Sequence, residues 1–300
     1  MKRLSVVLAA TLAALLINSG AFAQQAPASP SHKTSPAASV DLNTILMECT
    51  FMLEGRTAQG QILGTAFIMG RPIPAQPNRG EYVLITAAHV LDEMTGDTAT
   101  LQLRRKNGEN TYQRVPVSIA IRRGNKPLWT QNPVADVAVM YVPLPRNVVI
   151  PLLSTGLLAD DKTLSQFEVH PGDELECLGY PLGNASNDAG FPILRSGRIA
   201  SYPLLPTATT KTFLLDVRVF KGNSGGPVYL WDSNRTYQGG VHLGQVGFIV
   251  GLVSQERLFS QVNVGPYSQN ISQIPLDLAV VVYSSLIRQT IDMLPASPGK

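Results

Sequence analysis

With 300 residues and a net charge of +3, the chain is of a size for one two-lobed unit or two small domains. Its basic residues are scattered, apart from Arg104-Arg105-Lys106 and Arg122-Arg123, which read as solvated turns. No basic stripe forms, and that argues against a nucleic-acid partner.

The chain opens on Met1-Lys2-Arg3, followed by a run from Leu4 to Leu16 that is almost wholly apolar, and Ala21-Phe22-Ala23 carries small residues at the two positions a signal peptidase reads. The run is too short to span a bilayer comfortably. Residues 1–23 are therefore expected to be a cleaved signal peptide, with Gln24 as the mature N-terminus in the periplasm or outside the cell. Loss of Lys2 and Arg3 would take the net charge from +3 to +1. No other stretch is apolar and long enough to cross a membrane, so no stable insertion is expected after the leader is removed. Residues 24–40, rich in Pro, Ala and Ser with no apolar period, read as a disordered linker.

From residue 41 the chain is written in short β-like runs separated by Gly, Pro, Asn and Asp. They include CTFML (49–53), GTAFIM (64–69), YVLIT (82–86), RVPVSIAI (114–121), VAVMYV (137–142), ELECLGY (174–180), PVYLW (227–231) and VGFIVGLVS (246–254). Such runs predict an all-β sandwich or barrel, and the lack of strand–helix–strand alternation argues against an open parallel sheet. A Pro- and Leu-rich stretch at 143–165 reads as a connector between halves at 41–150 and 151–300. The C-terminus departs from the β pattern. Ser284 can cap a helix through Met293, with Leu286, Ile287, Thr290, Ile291 and Leu294 near helical spacing, packed on the second half.

Cys49 and Cys177 each lie in an apolar, strand-like run (ILMECTFML, 45–53, and DELECLGY, 173–180), where a free cysteine behaves as a small core residue. A bridge across so long a loop would be strongly stabilising, but it needs Cα atoms within about 7 Å. Two buried thiols are expected in preference to a disulfide.

Three segments carry chemistry. Leu84-Ile85-Thr86-Ala87-Ala88-His89 places an imidazole where an apolar strand ends; Ala135-Asp136-Val137-Ala138-Val139 starts another such strand on a carboxylate. Gly222-Asn223-Ser224-Gly225-Gly226-Pro227 surrounds a serine with glycines, which permit positive φ and close approach of a ligand to the backbone. A serine hydroxyl is a weak nucleophile until a base takes its proton and the base is itself oriented. In that arrangement Ser224 attacks, His89 is the base, Asp136 orients it, and the N–H groups of Gly222 and Ser224 form an oxyanion hole. Taken singly, each segment also has a structural explanation: a packed histidine, a turn aspartate, a β-turn.

TAAH (86–89), DVAV (136–139) and GNSGGP (222–227) resemble the chymotrypsin-like serine peptidases, in particular their bacterial trypsin-like and HtrA-type branch. GTAFI (64–68), LGYPLGN (178–184), SGRIAS (196–201) and VGLVSQ (250–255) support the resemblance, which covers roughly residues 60–256. It implies two six-stranded antiparallel β-barrels with the site in the cleft between them, and hydrolysis of a protein or peptide substrate through an acyl-enzyme. It also implies that Ser254, Gln255 and Glu256 pair with substrate as an added strand, and that Arg218, six residues before the nucleophile, lines the primary specificity pocket. An inward guanidinium there would favour an acidic substrate residue; Arg218 turned to solvent is the alternative. The 44 residues after Glu256 are too few for the PDZ domain of HtrA-type relatives, so the oligomeric state is left open.

Gly222 to Gly226 also fits G-x-S-x-G, the nucleophile elbow of the α/β-hydrolases. That fold orders its triad Ser, acid, His, and only His242 follows Ser224, 18 residues on. A non-catalytic binding protein on the peptidase fold is the other rival, and such proteins usually lose a triad residue. No H-E-x-x-H or comparable cluster is present, so no metal or other cofactor is expected.

Overall fold

A computed structural model describes residues 41–73, 76–264 and 269–295. The expected signal peptide and linker lie outside the described residues. The first helix, α1 (Leu42–Cys49), is a departure from the strand-like reading of this segment. Asp41 caps it by accepting from the amides of Asn43 and Thr44, and Leu42, Leu46 and Cys49, at helical spacing, are its buried face. The strand begins only at Thr50.

The first half supplies β1 (Thr50–Thr57), β2 (Gly60–Ile73), β3 (Gln76–Thr86), β4 (Thr95–Gly108), β5 (Thr111–Ala120), β6 (Arg122–Arg123), β7 (Lys126–Pro127), β8 (Thr130–Gln131) and β9 (Ala138–Tyr141). A short helix, α2 (Ala88–Asp92), follows β3. Seven of these strands form one antiparallel sheet in the order β5-β4-β1-β2-β3-β9-β8, and β6 and β7 pair separately. The second half supplies α3 (Asp161–Gln166), β10 (Glu174–Gly179), β11 (Ile193–Ile199), α4 (Thr207–Thr210), β12 (Thr212–Asp216), β13 (Pro227–Tyr237), β14 (Gly240–Val264), β15 (Gln269–Tyr283) and α5 (Ser284–Asp292). Its six strands close into a barrel in the order β10-β11-β12-β15-β14-β13. The fold is thus all-β with two sheet domains and a C-terminal helix, as expected. The first sheet reaches seven strands because two-residue β8 is added outside β9.

Each sheet has its own apolar core, one around Phe51, Phe67, Leu84 and Ile85, the other around Leu175, Phe213, Val250 and Val281. Helix α5 lies against β14 and β15 of the second half, as expected, and its Leu286, Ile287, Ile291 and Leu294 also join the core of the first sheet. The Asn132 amide adds hydrogen bonds to Thr290 Oγ1 at 3.0 Å and to the Leu286 carbonyl at 3.3 Å. Tyr283, not Ser284, is the N-cap, because the buried Ser284 hydroxyl donates instead to the Ala159 carbonyl at 2.7 Å.

The expectation of a solvated turn at Arg104-Arg105-Lys106 fails, since all three residues belong to a strand and the first is buried. Arg104 lies within β4 and is only 3% exposed. Its guanidinium donates to the carbonyls of Met47, Glu48 and Thr50 at the end of α1, to Gly190 O, and to the Tyr180 hydroxyl. The rings of Phe51 and Phe191 lie 4.4 and 4.2 Å from it. Carbonyls left over at a helix C-terminus need donors, and a cation suits the negative end of the helix dipole.

Candidate active site

The register of β3 on β9 pairs Thr86 with Ala138, so the residues just after β3 and just before β9 meet. His89, in the first turn of α2, and Asp136, two residues ahead of β9, are brought together there. His89 Nδ1 lies 2.8 Å from Asp136 Oδ2, and the His89 amide donates to Oδ1 at 3.0 Å. A carboxylate can only accept, so the ring proton sits on Nδ1 and Nε2 is left as the free base. Among the described residues Nε2 makes no hydrogen bond.

Burial opposes charge on both groups, and for both the partner outweighs it. Desolvation would lower the His89 pKa, but the hydrogen bond and negative charge of Asp136, helped by Glu93 and Asp92, hold it above the usual histidine value. Desolvation would raise the Asp136 carboxyl, but the His89 hydrogen bond and charge, the Ser254 hydroxyl and the His89 amide hold it below the usual carboxylate range. Ser254, expected to be a substrate-pairing residue, turns its side chain inward: 6% exposed, it donates to Asp136 Oδ2 at 2.5 Å.

Ser224 sits in a tight turn between β12 and β13. The turn is held from the other half by Thr65, whose amide donates to Ser224 O at 2.8 Å and whose hydroxyl donates to Gly222 O at 2.6 Å. Gly225, at φ +90°, packs so closely that a Cβ there would overlap Thr65 O and Thr86 Oγ1 and come within 3.0 Å of the Ala87 amide. Its own N–H donates to Val253 O at 2.7 Å, and Val253 is the neighbour of Ser254. Two chains of contacts therefore bind the three residues into one site. One runs from Ser224 through Gly225 to Thr86 and His89, the other through Val253 and Ser254 to Asp136.

The Ser224 hydroxyl is half-buried and makes no hydrogen bond among the described residues. Catalytic hydrogen bonds commonly tighten only when substrate excludes water. The amides of Asn223, Gly225 and Gly226 all donate within the protein, whereas those of Gly222 and Ser224 find no acceptor among the described residues. Gly222 takes φ +96° with its Cα against the Tyr180 carbonyl, a position closed to a side chain.

Residues 64–236 match the trypsin-like peptidase domain family. The chain belongs to that family. Among solved structures, this trypsin-like peptidase is similar to the thermostable serine protease AL20 from an extremophilic microorganism, at 13% identity over 81% of this chain and 95% of that one, with a TM-score of 0.45. It is also similar to the protease Anisep from Arthrobacter nicotinovorans, at 14% identity over 81% of this chain and 93% of that one, TM-score 0.44. The serine endoprotease from Yersinia pestis matches at 14% identity over 83% of this chain and 65% of that one, TM-score 0.44. No curated protein sequence matches the chain.

The peptidase's other candidate residues lie along β14. Gln255 and Glu256 pair with Val280 and Ala279 of β15. Strand β13 leaves β14 after Leu252, so no third strand covers this stretch among the described residues. Arg218 is turned to the surface: its side chain is 57% exposed, lies 3.1 Å from Asp277 and is stacked 5.0 Å from the Phe220 ring. Sequence reading missed Thr65 as the clamp on the serine turn. The signal lay in GTAFI (64–68), one of the runs that carry the family resemblance.

Proposed function

We propose that the chain is an exported serine endopeptidase, hydrolysing peptide bonds through an acyl-enzyme at Ser224. One observation carries the reading: Asp136 takes both the Nδ1 and the backbone N–H of His89, leaving Nε2 unpartnered among the described residues, while Gly225, next to Ser224, packs against Thr86 and Ala87 just before His89. In this reading His89 Nε2 accepts the Ser224 proton as Oγ bonds to the substrate carbonyl carbon. The negative oxygen is met by the two unpartnered amides of Gly222 and Ser224, an interaction worth about 2.7–4 kcal/mol for one such donor. The imidazolium, held by Asp136, returns the proton to the leaving amine as the C–N bond breaks; water then reverses the steps on the ester. The uncovered edge of β14 at Ser254–Glu256 supports pairing with substrate backbone. Arg218, paired with Asp277 at the surface, is proposed to border the adjoining side-chain pocket.

Incubation with a fluorophosphonate probe should place one adduct on Ser224, lost in Ser224→Ala and in His89→Ala. A folded protein that takes no label would favour a non-catalytic binding protein. Cuts inside a denatured protein substrate, as opposed to release of terminal residues, test the endopeptidase assignment. A mature N-terminus at Gln24 by mass spectrometry tests export.

A further inference from the structure

The amide of Gly222, one of the two assigned to the oxyanion, belongs to the Lys221–Gly222 peptide. In a planar trans peptide the carbonyl and the N–H point in opposite directions, so whatever holds the one aims the other. The Lys221 carbonyl is held by the Leu182 N–H at 2.7 Å. The carbonyl on the other side, that of Gly222 itself, accepts from the Thr65 hydroxyl at 2.6 Å, and that hydroxyl accepts from the Tyr180 N–H at 3.3 Å. Both peptides flanking Gly222 therefore lead back to Tyr180 and the single helical turn after it, Pro181–Gly183.

That turn is not held by its own side chains. Leu182 sits at φ +53°, a left-handed conformation that is costly for a residue with a side chain, and it is 63% exposed, so packing does little to keep it there. Its N–H to Lys221 and the Gly183 N–H to the Tyr180 carbonyl at 3.0 Å fix the backbone, and Tyr180 anchors it. The Tyr180 ring is fully buried, and its hydroxyl ends 3.2 Å from the Arg104 guanidinium, with the Gly190 and Thr50 carbonyls at 3.0 and 3.1 Å. On its other side the same guanidinium donates to the Met47 and Glu48 carbonyls of α1. Its donors form a rigid planar fork, so an arginine held at α1 presents the rest in a fixed direction.

We propose that Arg104 and Tyr180 are positioning residues for peptide hydrolysis: together they anchor the Pro181–Gly183 turn that aims the Gly222 N–H at the oxyanion. This rests on the peptidase reading and deepens it. Both side chains are buried, so they act through the turn. A hydrogen bond weakens steeply as its angle closes, and the oxyanion forms only as the carbonyl is attacked. A turn set free therefore costs kcat and leaves KM.

The test compares peptide hydrolysis by the wild type, Tyr180→Phe, Arg104→Met and the double variant, each shown by a melting curve to be folded at the assay temperature. Tyr180→Phe keeps the buried ring and removes only the hydroxyl, so it decides the matter where Arg104→Met is too unstable to assay. We expect kcat to fall about 10–10³-fold in each single variant, the upper figure being the loss of one oxyanion donor, with KM within about twofold. Affinity for a peptide aldehyde, whose adduct with Ser224 carries the oxyanion, should fall by the same factor as kcat/KM. Affinity for the matching peptide alcohol, which forms no adduct, should stay. The double variant should lose no more kcat than Arg104→Met alone, because both substitutions act through one contact. The pH midpoint of kcat/KM should not move, since His89 and Asp136 are untouched. A folded Tyr180→Phe with wild-type kcat overturns the proposal, as does an equal loss of alcohol and aldehyde affinity, which marks a general distortion of the site. Both results leave the peptidase reading standing. A folded wild type that neither cleaves peptide nor takes a fluorophosphonate refutes that reading itself, and the proposal with it.

Discussion

Desolvation by itself would make His89 a poorer base, and the carboxylate of Asp136 reverses that. The base works only when neutral, so kcat/KM should fall toward acid with a midpoint above the ordinary histidine value of about 6.5. Asp136→Asn keeps the burial and removes the charge. It should move that midpoint below about 6.5 and slow the reaction by about 10²–10⁴-fold, read from a pH–rate profile. The sign for stability is opposite to that for activity. A raised His89 pKa contributes stability that is complete below the unfolded value and is lost as pH rises through the folded one. The lowered Asp136 carboxyl contributes above its unfolded value and loses its contribution only as pH falls through its folded one. Between the two the protein should be inactive but folded, with circular dichroism flat where activity is gone. Gly225 makes a separate prediction: Gly225→Ala meets both the positive φ and the Thr65 carbonyl, and should cost at least about 2 kcal/mol by urea titration along with all labelling of Ser224.

At the scale of elements, the β-runs and the final helix were legible because burial writes itself into period-two and helical spacing. The long-range partners were not. Nothing near Arg104 in the sequence distinguishes it from Arg105; its aromatic neighbours and carbonyl acceptors come from residues 47–51 and 180–191. The segment before Thr50 read as strand because Ile45, Leu46 and Met47 are apolar in a row, while the Asp41 cap that makes it helical is a single side chain. Helix α5 packs on the second half as expected and also covers the first, which its sequence did not say, since an amphipathic stripe records that a face is buried and not against what. The triad candidates were readable as a set because local motifs carry them; the inward hydrogen bond of Ser254 to Asp136 was not, being set by how the two sheets meet. Arg104→Met should remove five charge-assisted hydrogen bonds and cost about 2–4 kcal/mol, whereas Arg105→Met should stay within about 0.5 kcal/mol, both by urea denaturation.

Across the whole molecule, Cys49 and Cys177 belong to different cores and are both free and buried. Burial, the largest influence on each, pushes both thiols up to about 12. Neither should react with a thiol reagent in the native protein, and both should titrate after denaturation without reductant. The guanidinium of Arg104 carries a consequence for time. Its partners Tyr180 and Gly190 lie 76 and 86 residues further along the chain. The apolar face of α5, which completes the first core, lies further still, ending at Leu294. A chain emerging N-terminus first thus makes its first sheet long before the last acceptors of Arg104 and the helix that covers the sheet exist. The half synthesised first is finished last, and residues 41–150 expressed alone should lack a cooperative unfolding transition.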